Sequence, residues 1–207
     1  MDNPKGKIAF VSSLFKPTQI DVIGGQETLT ALLVQQLAKR DYDINLFALS
    51  HSLKSNRVHL KIITDYSLDG LKNTHQEVLP YLDKIKVALY GRILMELEKS
   101  NDQLIFDSSG DFSLSLSADK IKKPIIIIGH FPVINSYTSI FKYIKQPKNV
   151  YFVFPSRFQN NNSVWLSNKF FIAHGIEIEK YKFSETPREN SFTFDVAELL
   201  SRAIPKV

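Results

Sequence analysis

Pro124-Ile125-Ile126-Ile127-Ile128 constrains the fold of this chain more than any other stretch. Four consecutive β-branched apolar residues read as a strand buried on both faces, and such strands belong to parallel sheets covered by helices on either side. The neighbouring patterns agree. Lys7 to Phe15 reads as a first strand, Gln26 to Arg40 as a helix, Ile44 to Leu49 as a second strand, and Val58 to Thr64 as a third. A helix follows from about Thr74 to Lys99, where Leu82, Ile85, Leu89, Ile93 and Leu97 make a stripe at helical spacing. Further strands are predicted at Gln103–Asp107, Val150–Phe154 and Phe170–Ala173, with no internal repeat or low-complexity linker between them.

This alternation implies an α/β fold: a Rossmann-like, open, mostly parallel sheet with helices on both faces. Ligands bind such sheets beyond the carboxyl ends of the strands. That rule sorts the candidate residues. Gly24 and Gly25 follow the first strand, Asp107, Ser108 and Ser109 end the 103–107 strand, Gly129 and His130 end the isoleucine strand, and Ser156 and Arg157 follow the 150–154 strand. Four loops therefore converge on one edge.

Composition limits what that edge does. With 207 residues, 43% hydrophobic and 23% charged, the chain can bury a sizeable core. The net charge of +5 is spread out, with local clusters at Lys120, Lys122, Lys123 and at Lys142, Lys145, Lys148. No recognition motif accompanies it, so nucleic acid is not an expected partner. The absence of cysteine excludes disulfides, thiolate metal sites and cysteine nucleophiles. His51, His59 and His75 lack metal-ligand spacing, and no metal is expected. Asp41-Tyr42-Asp43 spells an Asp-x-Asp pattern but joins a helix end to a strand start, the wrong edge, and reads as a turn. The N-terminal residues carry no apolar signal region and no run approaches a membrane span, so a cytoplasmic location is expected. A peripheral membrane contact is the variant of that reading, through a helix carrying Tyr137, Ile140, Phe141 and Ile144 beside Lys142 and Lys145.

The ordered motifs resemble the amino-terminal, acceptor-side domain of a family 4 retaining glycosyltransferase with the GT-B fold. Gly24-Gly25-Gln26-Glu27, followed by Leu29, Leu32, Leu33 and Leu37, resembles that family's Gly-Gly-x-Glu helix. Asp43–Ala48 resembles its second strand, Lys123–His130 the strand that ends in an important histidine, and Pro155–Gln159 a helix start with serine and phenylalanine. His174-Gly175-Ile176-Glu177 resembles the segment leading into the second domain. Asp102–Ser108 lies where the family has Asp-x-x-x-x-His, without the histidine. The match covers roughly residues 7 to 183.

The resemblance implies transfer of a sugar from a nucleotide-sugar donor to an acceptor, with retention. It implies His130 as the catalytic-site residue, orienting the donor sugar and stabilising developing charge. Gly24, Gly25, Glu27, Asp107, Ser108, Ser156 and Arg157 are the candidate donor- or acceptor-binding residues. At Gly24 and Gly25 the residues themselves suggest backbone N–H donation to phosphate or hydroxyl oxygens. Glu27 also suits the first turn of a helix as a carboxylate facing the dipole. The pattern is not the Gly-x-Gly-x-x-Gly fingerprint, which disfavours NAD.

Family members continue into a second Rossmann-like domain that holds the nucleotide sugar. Residues 1–190 are thus expected to form the acceptor-side domain and 191–207 a short tail where the donor domain would begin, with Phe192–Phe194 as a strand and Asp195–Ile204 as a helix. No cofactor is expected beyond the nucleotide-sugar co-substrate, and the isolated chain is expected to be inactive. The expected partners are a sugar or glycolipid acceptor and a partner polypeptide or second copy covering the apolar tail. The alternatives are a non-catalytic carbohydrate or glycolipid binding module, one subunit of a split transferase, and a different cofactor-dependent Rossmann-like enzyme.

Overall fold

The computed structural model describes residues 3–22, 24–110, 113–130 and 146–175. The predicted helix at 137–144 and the tail elements at 192–204 lie outside them. The chain divides into a compact unit, Met1–His174, and a second, Gly175–Val207, of which only Gly175 is described.

Seven strands form one sheet: β1 Gly6–Ser12, β2 Tyr42–Leu49, β3 Val58–Thr64, β4 Leu104–Ser108, β5 Ile125–Ile128, β6 Val150–Phe154 and β7 Lys169–Phe171. Their order is β3-β2-β1-β4-β5-β6-β7, and every pairing is parallel. The fold is therefore the expected open α/β sheet. The described helices are α1 Gly25–Lys39, α2 Leu68–Thr74, α3 Leu82–Lys99, α4 Ser113–Leu116 and α5 Arg157–Asn162.

Both faces of the inner strands are buried, and the period of two along each of them divides its residues between two cores. On one face Ala9, Val11, Phe47, Leu49, Ile125 and Ile127 pack with Tyr90, Ile93 and Leu97 of α3. On the other Ile8, Phe10, Ile44, Leu46, Ala48 and Ile128 pack with Val34 of α1. The isoleucine run is thus shared between the two cores, as a doubly covered strand requires.

Several boundaries differ from the sequence reading. β1 stops at Ser12 rather than Phe15, because Ser13 Oγ accepts a hydrogen bond from Phe15 N at 3.1 Å and turns the chain. The long helix expected from Thr74 is interrupted. Gln76–Tyr81 is a 3-10 segment carrying Pro80, and α3 begins only at Leu82. Proline has no N–H, and its ring crowds the carbonyl four residues earlier, so an α-helix cannot run through it undisturbed. β7 ends at Phe171, two residues short of the predicted Ala173.

The strand order changes direction between β1 and β4. The chain after β1 crosses through α1 to β2 on one side, while β4, β5, β6 and β7 extend on the other. The crevice at that switch point, beyond the carboxyl ends of the two strands, is where α/β sheets hold ligands.

Candidate functional site

α1 enters the switch point through Gly24 and Gly25. The two glycines do different work. A Cβ on Gly24 would collide with Glu27 Oε2, so this glycine is needed for the buried Glu27 carboxylate to fold back over the helix start. A Cβ on Gly25 would meet nothing within 4 Å. The helix start is therefore open beside Gly25. The first helical bond is donated by Thr28 N to Gly24 O at 3.0 Å, and the earlier N–H groups have no intrahelical acceptor.

The first turns of α1 grip the end of β4. Gln26 and Thr30, four residues apart, share a helix face. Gln26 Nε2 donates to the Ser108 carbonyl at 2.6 Å, and Thr30 Oγ1 lies 2.6 Å from Ser108 Oγ. Register places Ser108 beside Ser12 at the top of the sheet. Ser108 is completely buried, and its hydroxyl also lies 2.7 Å from His130 Nε2. Asp107, equally buried, accepts from Ser109 N through Oδ1 at 3.0 Å and shapes the turn after β4.

His130 sits on a turn made by Gly129. His130 N donates to Ile128 O at 3.1 Å, while Gly129 N donates to Val153 O at 2.9 Å. The turn lies flat on Phe154: a Cβ on Gly129 would approach two ring carbons at 2.6 Å. Burial, with neighbouring His174 as the smaller cause, pushes the His130 imidazole down to about 4. The ring is therefore neutral near pH 7. His174, just beyond β7, lies over it with ring centroids 5.8 Å apart, and desolvation lowers His174 as well.

Ser156 and Arg157 lie at the carboxyl end of β6. Ser156 Oγ accepts from Gln159 N at 3.1 Å and donates to Gln159 Oε1 at 3.0 Å, so this hydroxyl is committed to capping α5. The Arg157 guanidinium stands over the Phe171 ring at 5.5 Å. Asp102 lies at the opposite edge, buried, where Asn45 Nδ2 donates to it at 2.8 Å. Asp41 and Asp43 are also on that edge, both paired with Arg57, at 3.7 and 3.2 Å.

The structure therefore joins α1, Ser108 and His130 by direct contacts, and places Ser156 and Arg157 further along the same edge. Sequence reasoning missed Gln26 and Thr30 as site-building residues, and His174 as the neighbour of His130. The i, i+4 spacing of Gln26 and Thr30 was visible, but their partner became evident only when α1 was packed against β4. Among the described residues, no three His, Asp or Glu side chains are grouped so as to hold a metal ion, and no helix is long and apolar enough to cross a membrane.

No protein-family model matches the chain, and no curated protein sequence matches it. Among solved structures, it is similar to AviGT4, described as a glycosyltransferase involved in avilamycin A biosynthesis, with a TM-score of 0.43 and 14% identity. The likeness covers 75% of this chain and 38% of that one.

Proposed function

We propose that this chain is the acceptor-side half of a glycosyltransferase that moves a sugar from a nucleotide-sugar donor to a sugar or glycolipid acceptor, with retention. The observation that carries the reading is His130. It is a neutral imidazole at the end of a central strand, held by Ser108 beside the open start of α1. The ordered motifs of the sequence supply the reaction class.

In this reading the neutral ring hydrogen-bonds a sugar hydroxyl without placing a second charge beside a developing oxocarbenium ion. The free N–H groups at the start of α1 receive a ligand oxygen next to Gly25. Glu27, at the same helix start, accepts from a hydroxyl. Arg157 lies further along the edge as a cation for an anionic part of the ligand. The nucleotide-sugar site is contributed by a second domain or a partner polypeptide, and sugar transfer requires both halves.

The test is calorimetry and thermal melting of the chain with a panel of glycans, glycolipid headgroups and nucleotide sugars. An acceptor-class glycan should raise the melting temperature. His130→Ala should weaken its binding about tenfold, the loss expected for one buried hydrogen bond. A flat response across the panel overturns the reading, as does sugar transfer by the chain on its own.

A further inference from the structure

Three short polar contacts run in line from α1 to the end of β5. Thr30 Oγ1 is 2.8 Å from the Gln26 carbonyl oxygen, Ser108 Oγ is 2.6 Å from Thr30 Oγ1, and His130 Nε2 is 2.7 Å from Ser108 Oγ. Each contact needs one proton. A carbonyl has none to give, and each hydroxyl has one. The Thr30 proton must therefore go to Gln26 O. The Thr30–Ser108 contact then takes the Ser108 proton, and Ser108 Oγ is left as an acceptor toward His130. The donor in the last contact can only be the Nε2–H of histidine. Thr30 and Ser108 are 1% and 0% exposed, so bulk water does not reach in to offer another arrangement. The Gln26 side chain clamps the Ser108 carbonyl at 2.6 Å and keeps the serine in place.

We propose that Thr30 and Ser108 are positioning residues that lock His130 in its Nε2–H tautomer, so that Nδ1 meets a ligand only as a hydrogen-bond acceptor. The ring is neutral near pH 7, so Nδ1 carries a lone pair there. Nδ1 has no hydrogen-bond partner among the described residues. The group that pairs with it must itself be a donor. A hydroxyl of a sugar or polyol fits at Nδ1, whereas an ionised phosphate or carboxylate oxygen in that place is rejected because two acceptors would face each other. This statement about the ligand rests on the proposed role of His130; the proton order does not.

The test is long-range 15N–1H spectroscopy of the full chain, labelled in its five histidines, at pH 7 and without ligand, with His130→Gln used to assign the His130 signals. The wild type should show Nε2 protonated and Nδ1 bare. Thr30→Val keeps the side-chain shape but frees the Ser108 proton for Nε2, and an Nδ1–H population should then appear. Thr30→Ser retains the hydroxyl and should restore the wild-type pattern. An Nδ1–H ring in the wild type overturns the proposal, and so does a Thr30→Val spectrum identical to wild type. If Thr30→Val does not fold, the wild-type spectrum decides alone. Since no sugar is present, failure here leaves the glycan-binding test standing, and failure of glycan binding leaves the proton order standing.

Discussion

Replacing Gly129 by alanine should destabilise the protein through a single identifiable clash. The added Cβ would lie 2.6 Å from Cδ1 and Cε1 of Phe154. Carbon atoms in contact prefer about 3.5–4.0 Å, so the ring or the turn must move by about 1 Å. Neither is free to do so. Phe154 is fully buried and stacks on Phe152, with centroids 6.3 Å apart. The turn is fixed to β6 by the bond from Gly129 N to Val153 O. Gly129 has no positive φ, so the backbone accepts alanine and the whole cost is steric. Over-packing of this kind costs about 1–3 kcal/mol. Urea denaturation reads it as a lower midpoint at unchanged slope. The double variant Gly129→Ala/Phe154→Leu isolates the cause, because removing the ring should recover about 1 kcal/mol or more relative to the sum of the single changes. Additive single changes, or a Gly129→Ala protein as stable as wild type, would rule out the clash as the cause.

Two further outcomes follow from the same edge. His130 binds a proton with a pKa near 4 when folded, against about 6.5 when unfolded. The unfolded state therefore takes up the proton first as pH falls. The stability associated with the neutral ring is intact above pH 6.5 and is lost between about 6.5 and 4, by about 3 kcal/mol at most. The difference between wild-type and His130→Gln denaturation midpoints across that range measures it, and a flat difference refutes it. At the start of α1, Gly24→Ala should cost about 1 kcal/mol by displacing the flexible Glu27 carboxylate. Gly25→Ala should be neutral or slightly stabilising, because alanine fits open space and reduces the freedom of the unfolded chain. Equal loss of stability in both variants would contradict the distinction between the two glycines.

The parallel sheet was legible because doubly buried strands leave a continuous apolar record, and β5 carries the strongest of them. The start of α1 and the four-loop edge followed from the pattern and one topological rule. The break at Pro80 was written in the sequence as well, but the stripe from Leu82 to Leu97 drew the helix boundary too far back. The early end of β1 depended on Ser13 bonding its own backbone, a local competition that composition does not rank. Ser156 shows the same limit from the other side: its position on the binding edge was readable, while the commitment of its hydroxyl to Gln159 was not.

Hydrophobic periodicity is a local property of the chain, and it was enough to place the candidate residues at the carboxyl ends of the strands. Which of those residues touch depends on long-range packing. Ser108 meets Thr30 from 78 positions away and His130 from 22, and neither contact has a sequence signature. The direction of the protons through that line, and with it the face His130 offers a ligand, depends on distances within hydrogen-bond range. Those distances exist only once α1, β4 and β5 are packed together, since they are set by the summed packing of two cores on either side of the sheet.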